Sequence, residues 1–424
     1  MGLGLIAATP MELLANIRKN ISPNDKIGIG LIGCKGMGWS NLTSMLQISE
    51  TECVALCDID QAVIKQRLAE LEKLNQKPGV YGDYRKLLED KNVDVVIIAT
   101  PDHWHCLQMA DACAAGKHIL LEKPVSNSIG EAELMVKVAQ KHNSIVQVNQ
   151  WQRSHEHFKN AVAFVHSGKL GTVAQCKAWM YNGHKILPKA AETVVPEGVD
   201  YKMWLGPAPS RAFNPNRFHY NFRWYWDYAG GLMTDWGVHL IDVVLWGMKA
   251  VKPDTVASMG GHIAFPDDAR DTPDTQTALY NYPGFQLTWE HTMGRTGGLF
   301  QLGHGIAFAG DMGTLLVNRD GWKVLPEMEN KAPKMEEVAW QPRTDRGLDL
   351  HTKNLIDAVK AGKTNLLNCP IETGALCAIH CHMGNVAYRA GLLLEVDQNN
   401  RFNHQKANTL AMPGYQNGWK LPKT

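Results

Sequence analysis

The turn that follows the first apolar strand restricts the fold of this chain more than any other feature. The run Lys26–Gly33 (KIGIGLIG) has the continuous apolar character of a buried strand, Cys34–Gly38 (CKGMG) is a glycine-rich turn, and the residues from Trp39 to about Ile48 are typical of a helix. A strand, a glycine turn and a helix in this order predict the opening unit of a dinucleotide-binding α/β domain.

The glycine pattern of this turn is imperfect. Gly28 and Gly30 lie inside the strand and cannot form the turn, so the matching register begins at Gly33 and ends at Gly38. Its middle position, where backbone normally approaches a pyrophosphate, is occupied by Lys35. The lysine either lays its charge along the phosphates or pushes them outward, and the sequence leaves both open. We predict that the turn contacts a dinucleotide through Gly33, Lys35, Gly36, Met37 and Gly38.

A carboxylate follows the second predicted strand at the spacing expected for ribose binding. The strand Glu52–Cys57 ends at Asp58, which lies 20 residues after Gly38. An acid at this position binds the ribose hydroxyls and repels a 2′-phosphate, and no arginine or serine follows that would hold such a phosphate. The sequence therefore predicts NAD in preference to NADP.

Strands and helices continue to alternate as far as residue 149. The predicted elements are strand Val93–Ala99, helix Trp104–Ala115, strand His118–Leu121, helix Ile129–His142 and strand Ile145–Asn149. This alternation predicts an α/β Rossmann domain with a doubly wound parallel sheet over residues 26–149. Ligands bind beyond the carboxyl ends of such strands. Further cofactor contacts are therefore expected from Thr100, Pro101, His105, Glu122 and Lys123.

The pattern changes after residue 149. Mixed-polarity strands are predicted at 173–180, 254–260, 276–282, 285–291 and 305–309, and helices at 351–361 and 373–390. We predict an α+β domain with a large, mostly antiparallel sheet over residues 150–395, for substrate binding and oligomerisation, onto which the late helices pack back. Residues 396–424 are predicted to form an extended C-terminal tail.

Three residues are predicted to carry the chemistry. Lys123 follows an apolar strand and so lies where ligands bind, and Asp235 and His239, four residues apart in a predicted helix, share one helical face. An ammonium, a carboxylate and an imidazole in one cleft suit proton transfer with a substrate hydroxyl. Asp242, one turn further on, is expected to fix the tautomer of the imidazole.

An aromatic and arginine cluster precedes this helix. Aromatic rings pack against the C–H faces of sugars and arginines bind hydroxyls or carboxylates, although packing within the sheet explains any single aromatic equally well. The predicted substrate-binding residues are Arg153, Arg223, Trp224, Trp226, Asp235 and His239.

Composition excludes several classes of partner. The net charge of +1 and the absence of basic or long apolar runs predict neither nucleic-acid nor membrane binding. Nine cysteines without paired spacing are expected to be free thiols. Histidine pairs such as His380 and His382 point to different faces of a helix and lack a third ligand, so no metal is expected.

The first residues resemble part of an export signal. Gly2–Pro10 is short and apolar, and residues 1–25 are interpreted as a leader or signal-peptide remnant. The periplasm is the expected location, with the cytoplasm as the alternative.

Taken together, these features resemble one protein family. From Lys26 onward the chain is similar to the glucose-fructose oxidoreductase and inositol dehydrogenase (Gfo/Idh/MocA) family. The matching features are the glycine turn, Asp58, Gly116–His118 leading into Glu122–Pro124, Trp204–Pro207, Gly230–Gly231 and the Asp235–Asp242 segment. The resemblance implies that Lys123 is catalytic with Asp235 and His239 as proton partners, that Asp58 and the turn hold NAD, and that the protein forms a homodimer or homotetramer. Lys35 departs from the family's usual glycine.

The expected activity is NAD-dependent hydride transfer to or from a secondary hydroxyl of a sugar, polyol or glycoside. The alternative activity is a redox-neutral reaction in which NAD stays tightly bound. In this reaction a glycoside hydrolase, lyase or epimerase forms a transient keto-sugar. The tyrosine and threonine-histidine-glycine signature of the related glycosidase branch is not apparent, because this chain has Thr234–Gly237 (TDWG). A sugar-responsive regulatory protein is a third, weaker reading.

Overall fold

A computed structural model describes residues 26–181 and 183–423 of the 424-residue chain. The predicted leader, residues 1–25, lies outside the described residues. The first domain alternates strands and helices as follows: β1 Ile27–Ile32, α1 Gly36–Met45, β2 Thr51–Cys57, α2 Gln61–Glu72, β3 Gly79–Tyr81, α3 Tyr84–Glu89, β4 Val95–Ile98, α4 Asp102–Ala114, β5 His118–Leu121, α5 Ile129–His142 and β6 Val146–Val148.

The six strands of this domain form one parallel sheet in the order β3-β2-β1-β4-β5-β6. Every residue of β1 and β4 is buried, as expected for central strands covered by helices on both faces. The order reverses between β1 and β4, which creates the crevice where ligands bind in doubly wound folds. The predicted Rossmann fold is confirmed.

Some elements of the first domain were not predicted from the sequence. The edge strand β3 has only three residues, two of them exposed, so it lacks the apolar run by which the other strands are recognised. Helices α2 and α3 begin after Asp60 and Asp83, whose side chains accept hydrogen bonds from Ala62 N and Arg85 N.

The second domain begins after β6 with a 3₁₀ turn, Trp151–Ser154. Its further elements are α6 Glu156–His166, β7 Val173–Tyr181, α7 Tyr201–Leu205, the 3₁₀ segment His219–Trp224, α8 Gly231–Asp235, α9 Gly237–Met248, β8 Thr255–Gly261, β9 Thr275–Tyr282, β10 Phe285–Thr292, the 3₁₀ turn Leu299–Gln301, β11 His304–Gly310, β12 Gly313–Asn318, β13 Gly321–Pro326, β14 Met328–Glu329, β15 Ala332–Pro333, β16 Val338–Pro342, α10 Gly347–Ala361, the 3₁₀ turn Thr364–Leu366, α11 Ile371–Ala390, β17 Leu394–Glu395 and α12 Gln405–Leu410.

Nine of these strands form a second sheet, in the order β16-β13-β12-β11-β7-β10-β9-β8-β17, and β14 pairs with β15 separately. All neighbours in the nine-stranded sheet are antiparallel except β7 and β10. Burial alternates along β9 and β10, so one face of the sheet is covered, and α6, α9 and α11 pack against it. The predicted mostly antiparallel sheet is confirmed.

The C-terminal segment packs against the first domain. It was predicted to be extended, but it contains α12 and continues along α4 and α5. The Tyr415 hydroxyl donates to Glu131 Oε1 at 2.7 Å, and the rings of Trp419 and Trp104 meet edge to face at 4.9 Å between centroids. The part of this segment that contains Tyr415 and Trp419 therefore packs on the nucleotide-binding domain.

None of the helices formed by residues 26–181 and 183–423 combines the length and the apolarity needed to cross a bilayer.

Candidate active site

A cavity of about 420 Å³ lies between the carboxyl ends of the first sheet and the second domain. The first domain contributes the glycine turn and the residues after β2, β4 and β5, and the second domain contributes its 3₁₀ segment and the end of α8. The lining residues are Gly33, Lys35, Gly36, Met37, Cys57, Asp58, Ile59, Ala99, Thr100, Pro101, Asp102, Glu122, Lys123, Trp204, His219, Tyr220, Phe222, Arg223, Thr234 and Asp235.

The glycine turn has the geometry that the register from Gly33 to Gly38 predicts. Gly33 has φ +86°, and a Cβ there would lie 2.6 Å from Ala99 O. A Cβ on Gly38 would lie 2.0 Å from Gly33 O, so this residue allows the close contact of α1 with the strand and is itself not part of the lining. Gly36, by contrast, has no atom within 4 Å of its Cβ position and faces open space. This shallow turn at a helix start fits a dinucleotide phosphate.

Lys35 lies at the amino end of α1. It is exposed and lines the cavity beside Gly36. Its charge therefore lies beside the open part of the turn, on the side from which a pyrophosphate would approach.

Asp58 is held in place by backbone donors. Its Oδ2 accepts a hydrogen bond from Cys34 N at 2.7 Å, and its Oδ1 accepts one from Asp60 N at 3.1 Å. Burial raises the pKa of Asp58, and these two donors oppose the rise. The carboxylate thus links the end of β2 to the glycine turn at the position where a ribose would lie.

Lys123 contacts the second domain directly. Its Nζ donates to Asp235 Oδ1 and to the Asp235 backbone oxygen, both at 2.8 Å. The neighbouring Glu122 is buried, and its Oε1 accepts from Asn41 Nδ2 at 2.9 Å and from Asn149 Nδ2 at 2.5 Å. The structure therefore brings together Lys123 and Asp235, which are 112 residues apart in the sequence.

Asp235 lies between two cations. Besides Lys123, the Arg223 NH1 nitrogen donates to Asp235 Oδ1 at 2.9 Å. Burial by itself would raise the pKa of Asp235, but the charges of Arg223 and Lys123 outweigh it and hold this pKa well below its usual range. Asp235 is consequently a carboxylate throughout the physiological range and orients both cations.

His239 follows a break in the predicted helix. The predicted continuous helix is interrupted, because α8 ends at Asp235, Trp236 has φ −105°, and α9 starts at Gly237. His239 is buried and outside the cavity lining. Burial, reinforced by Lys123 and Arg319, lowers its pKa well below the usual value, so the ring is neutral. Its Nδ1 has no hydrogen-bond partner within the described part of the chain.

Asp242 does not orient this imidazole. Its carboxylate accepts hydrogen bonds from Arg153 Nε at 2.8 Å and Arg153 NH2 at 2.9 Å. Arg153 also lies over the ring of Trp246, at 5.0 Å from its centroid, and is outside the cavity lining. The expectation for Asp242 is therefore wrong, and the structure places Arg153 in a buried ion pair that joins the 3₁₀ turn after β6 to α9.

Three other predicted residues also lie outside the lining. Trp224 is buried beside Arg270, and Trp226 donates from Nε1 to Asp271 O at 3.0 Å and stacks on Tyr388. His105 is buried, with Nδ1 at 2.7 Å from Pro124 O and Nε2 at 2.8 Å from Thr100 O. It supports the loops on which Thr100 and Lys123 lie without facing the cavity itself.

Several lining residues were not predicted. Asp102 begins α4, and burial raises its pKa well above the usual value. Tyr220 and Phe222 belong to the same aromatic run as Trp224, and nothing in their spacing distinguished the residues that face the cavity. Trp204 belongs to the five-residue helix α7 and His219 begins the 3₁₀ segment, both too short to show a periodic pattern, so their position was not accessible to sequence reasoning.

Within residues 26–181 and 183–423, no group of three or more histidine, cysteine, aspartate and glutamate side chains is arranged to hold a metal ion.

Comparison with known families matches three models along the chain. Residues 27–150 match the NAD-binding Rossmann fold of the Gfo/Idh/MocA oxidoreductase family, residues 141–259 its C-terminal α/β domain, and residues 208–316 a further Gfo/Idh/MocA C-terminal domain. The chain belongs to the Gfo/Idh/MocA oxidoreductase family. The resemblance seen in the sequence is thus confirmed, and the cavity lies at the carboxyl ends of the strands in the domain that matches the NAD-binding Rossmann fold.

Curated relatives of this family member match over short segments. Glycosyl hydrolase family 109 protein 1 of Shewanella sp. (strain ANA-3) is 33% identical over 120 residues, which are 27% of this chain and 26% of the relative. The uncharacterized oxidoreductase YrbE of Bacillus subtilis is 31% identical over 147 residues, which are 35% of this chain and 42% of the relative. The chain therefore spans well under half of each relative.

Solved structures share the fold over most of the chain. Levoglucosan dehydrogenase in complex with NADH and levoglucosan has a TM-score of 0.66 at 16% identity, covering 88% of this chain and 100% of its own. The WlbA dehydrogenase of Bordetella pertussis, in complex with NADH and UDP-GlcNAcA, has a TM-score of 0.65 at 17% identity, covering 88% and 99%. At these identities the likeness shows the fold.

Proposed function

We propose that this oxidoreductase transfers a hydride between the nicotinamide of NAD and a secondary hydroxyl of a sugar, polyol or glycoside. The observation that supports it is the pairing of Lys123, from the nucleotide-binding domain, with Asp235, from the second domain, in the wall of the NAD-binding cavity. NAD supplies the hydride acceptor, and the protein must supply the proton transfer and the orientation of the substrate.

Lys123 is the proposed contact with the reacting oxygen. Two of its three ammonium hydrogens are directed at Asp235, which leaves the third for a substrate hydroxyl or for the alkoxide that forms as the hydride leaves. Arg223 shares the same carboxylate oxygen and lies in the cavity wall, so it is the proposed second donor to substrate hydroxyls. A carboxylate that holds two donors in place provides the preorganisation that such a reaction requires.

His239 is the proposed proton acceptor. Because its ring is neutral, it has a free lone pair for the proton that leaves the substrate hydroxyl, whereas an imidazolium would not. It is buried beside Trp151 and Trp236, with ring centroids 6.0 and 6.1 Å away. The proton therefore has to reach it through Lys123 or through a water molecule.

The substitution Lys123→Met tests this assignment. Methionine has a similar length without the ammonium, so turnover should fall by about 10²–10⁴-fold, the usual contribution of a positioned proton-transfer group, while the affinity for NAD stays within a few-fold. Reduced-cofactor absorbance measures turnover against a panel of sugars and glycosides, and calorimetry measures NAD binding. Lys137→Met, at an exposed position of α5, is the matched control. Hydride transfer that persists in the Lys123 variant would contradict the proposal.

A redox-neutral reaction is the second candidate. The similarity to glycosyl hydrolase family 109 proteins favours this reaction. A contact between the two domains at the ribose end of the cavity also favours it, because His219 Nε2 lies 2.9 Å from Asp60 Oδ2. An enclosed cofactor suits an enzyme that returns the hydride within one turnover. Product release from glycosides without net reduced cofactor would favour this reaction, and stoichiometric reduced cofactor would favour the dehydrogenase.

Two further proposals concern the cellular form of the protein. A homodimer or homotetramer is proposed, because the nine-stranded sheet leaves one face with exposed residues such as Met259 and Leu279. Export to the periplasm remains a proposal that rests on residues 1–25.

A further inference from the structure

Arg319 lies between two tryptophan rings next to the proposed catalytic residues. It belongs to the turn between β12 and β13, and its guanidinium carbon is 4.6 Å from the centroid of Trp151 and 4.3 Å from that of Trp236. Trp236 directly follows Asp235, and both rings also flank His239. Arg319 and both rings are outside the lining of the 420 Å³ cavity, but the nine-stranded sheet places this cation close enough to His239 and Asp235 to interact electrostatically with both.

This guanidinium has few partners. Its Nε donates to Gln152 Oε1 at 3.1 Å, and Gln152 in turn donates from Nε2 to His239 O at 3.1 Å. No carboxylate in residues 26–181 and 183–423 forms an ion pair with Arg319, whereas the enclosed Arg153 and Arg270 pair with Asp242 and Asp268. Burial lowers the pKa of Arg319 to about 10, although Asp235 and Asp320 oppose this.

The charges around Asp235 do not balance. Lys123, Arg223 and Arg319 provide three positive charges, whereas two carboxylates lie near them: Asp235, and Glu122, whose Oε2 accepts from Lys123 N at 3.1 Å. Burial raises the pKa of Asp102 well above the usual value, which weakens its contribution as a negative charge. His239 is neutral, and so is His304, where burial lowers the pKa to about 4. Asp320 is exposed to solvent, which weakens its effect. A bound nicotinamide cation would increase the positive excess.

The tryptophan rings also fix the orientation of the guanidinium. Both rings lie within 5 Å of the guanidinium carbon, and Nε donates to Gln152, so the terminal nitrogens remain for further hydrogen bonds. The terminal nitrogens form a planar fork, which matches a planar carboxylate in two parallel hydrogen bonds.

We infer that Arg319 binds a carboxylate of the substrate, so that the preferred substrate is an acidic sugar such as a uronic acid. This inference rests on the proposed function and specifies the class of sugar on which it acts. Arg319 is then a specificity residue, and Lys123 remains the group that contacts the reacting hydroxyl.

Binding of matched acidic and neutral sugars tests the inference. The probes are D-glucuronate and D-galacturonate against D-glucose and D-galactose, titrated calorimetrically into the protein loaded with NADH, which cannot oxidise them. We expect at least one uronate to bind tenfold or more tightly than its neutral counterpart, and Arg319→Gln to remove that difference while the affinity for NAD stays unchanged. Arg319→Lys, which keeps the charge without the fork, should retain only part of the preference. Arg346→Gln, at a position where the side chain is 76% exposed, is the matched control.

Three outcomes would overturn the inference: equal binding of acidic and neutral sugars, no measurable binding of either uronate, or a preference that survives in Arg319→Gln. Stronger binding of glucose 6-phosphate than of both uronates would overturn the carboxylate as the recognised group. Because binding is measured without turnover, failure of hydride transfer in the absorbance assay would count against the proposed function and not against Arg319.

Discussion

At the scale of single residues, Asp58 combines a structural and a selective role. Its carboxylate fastens the glycine turn through Cys34 N and is also part of the cavity lining. A negative charge at this position disfavours a second negative charge on the ribose, which is the physical basis for the proposal of NAD in preference to NADP. The amino-acid type and its spacing from Gly38 were sufficient to predict this position.

The substitution Asp58→Asn removes the charge of this side chain but keeps its size and one hydrogen-bond acceptor. The side-chain oxygen can still accept from Cys34 N, but the repulsion of a 2′-phosphate is lost. We expect the ratio of NAD affinity to NADP affinity to fall by at least tenfold, measured by calorimetry with both cofactors. An equal loss of affinity for both cofactors would instead mean that Asp58 acts only by holding the turn.

At the scale of elements, the segment formed by residues 198–224 connects the two domains beside the proposed cofactor site. Gln61 N donates to Gly198 O at 3.0 Å and Asp200 N donates to Ile59 O at 2.9 Å, so the segment continues the backbone hydrogen bonding of the loop after β2. His219, with φ +48°, then contacts Asp60. These contacts hold the segment over the end of the cavity that contains Asp58.

We expect His219→Asn to accelerate the release of NAD. Asparagine tolerates the positive φ of this position but cannot reach Asp60 as the imidazole does, so one fastening of the 198–224 segment is lost. Stopped-flow measurement of cofactor release should show a rate increase of several-fold. His404→Ala, at an exposed position before α12, controls for loss of a histidine. An unchanged release rate would show that the segment does not limit cofactor exchange.

The break between α8 and α9 illustrates what element-level patterns miss. The four-residue spacing of Asp235 and His239 predicted one continuous helix, but α8 ends at Asp235 and α9 begins at Gly237; Asp235 lines the cavity, whereas His239 is buried outside this lining. Gly237 at the start of α9 was the local signal that the helix could be interrupted there.

At the scale of the whole molecule, the C-terminal segment stabilises the nucleotide-binding domain through Glu131. This buried residue accepts from Tyr415 Oη at 2.7 Å, and from Asn127 N and Ser128 Oγ at 3.0 Å each. Burial raises the pKa of Glu131 from 4.5 to about 7, and the hydrogen bonds only partly oppose the rise.

The raised pKa predicts how stability depends on pH. Between about pH 4.5 and 7 the folded protein holds a proton that the unfolded chain has released, so the free energy of unfolding should decrease as the pH rises through this window. The expected loss is on the order of 1–3 kcal/mol. Glu131→Gln, which stays neutral, should flatten the profile of thermal midpoint against pH. Glu133→Gln on the same helix, which removes a partly exposed ion pair with Arg401, is the control. Identical slopes in the wild type and Glu131→Gln would refute the assignment.

The sequence by itself determined the Rossmann domain, the register of its glycine turn, Asp58, and the position of Lys123 at the end of β5. These depend on patterns within a few residues, because strand periodicity, glycine conformation and the location of strand ends are local properties. Only the tertiary structure decided which charges meet. Arg153 pairs with Asp242 across 89 residues, His219 reaches Asp60 across 159, and Arg319 comes to the site from a distant strand turn. Such pairings join residues that are far apart in the sequence, in the case of His219 and Asp60 across the two domains, so they depend on how the elements pack and not on any local spacing.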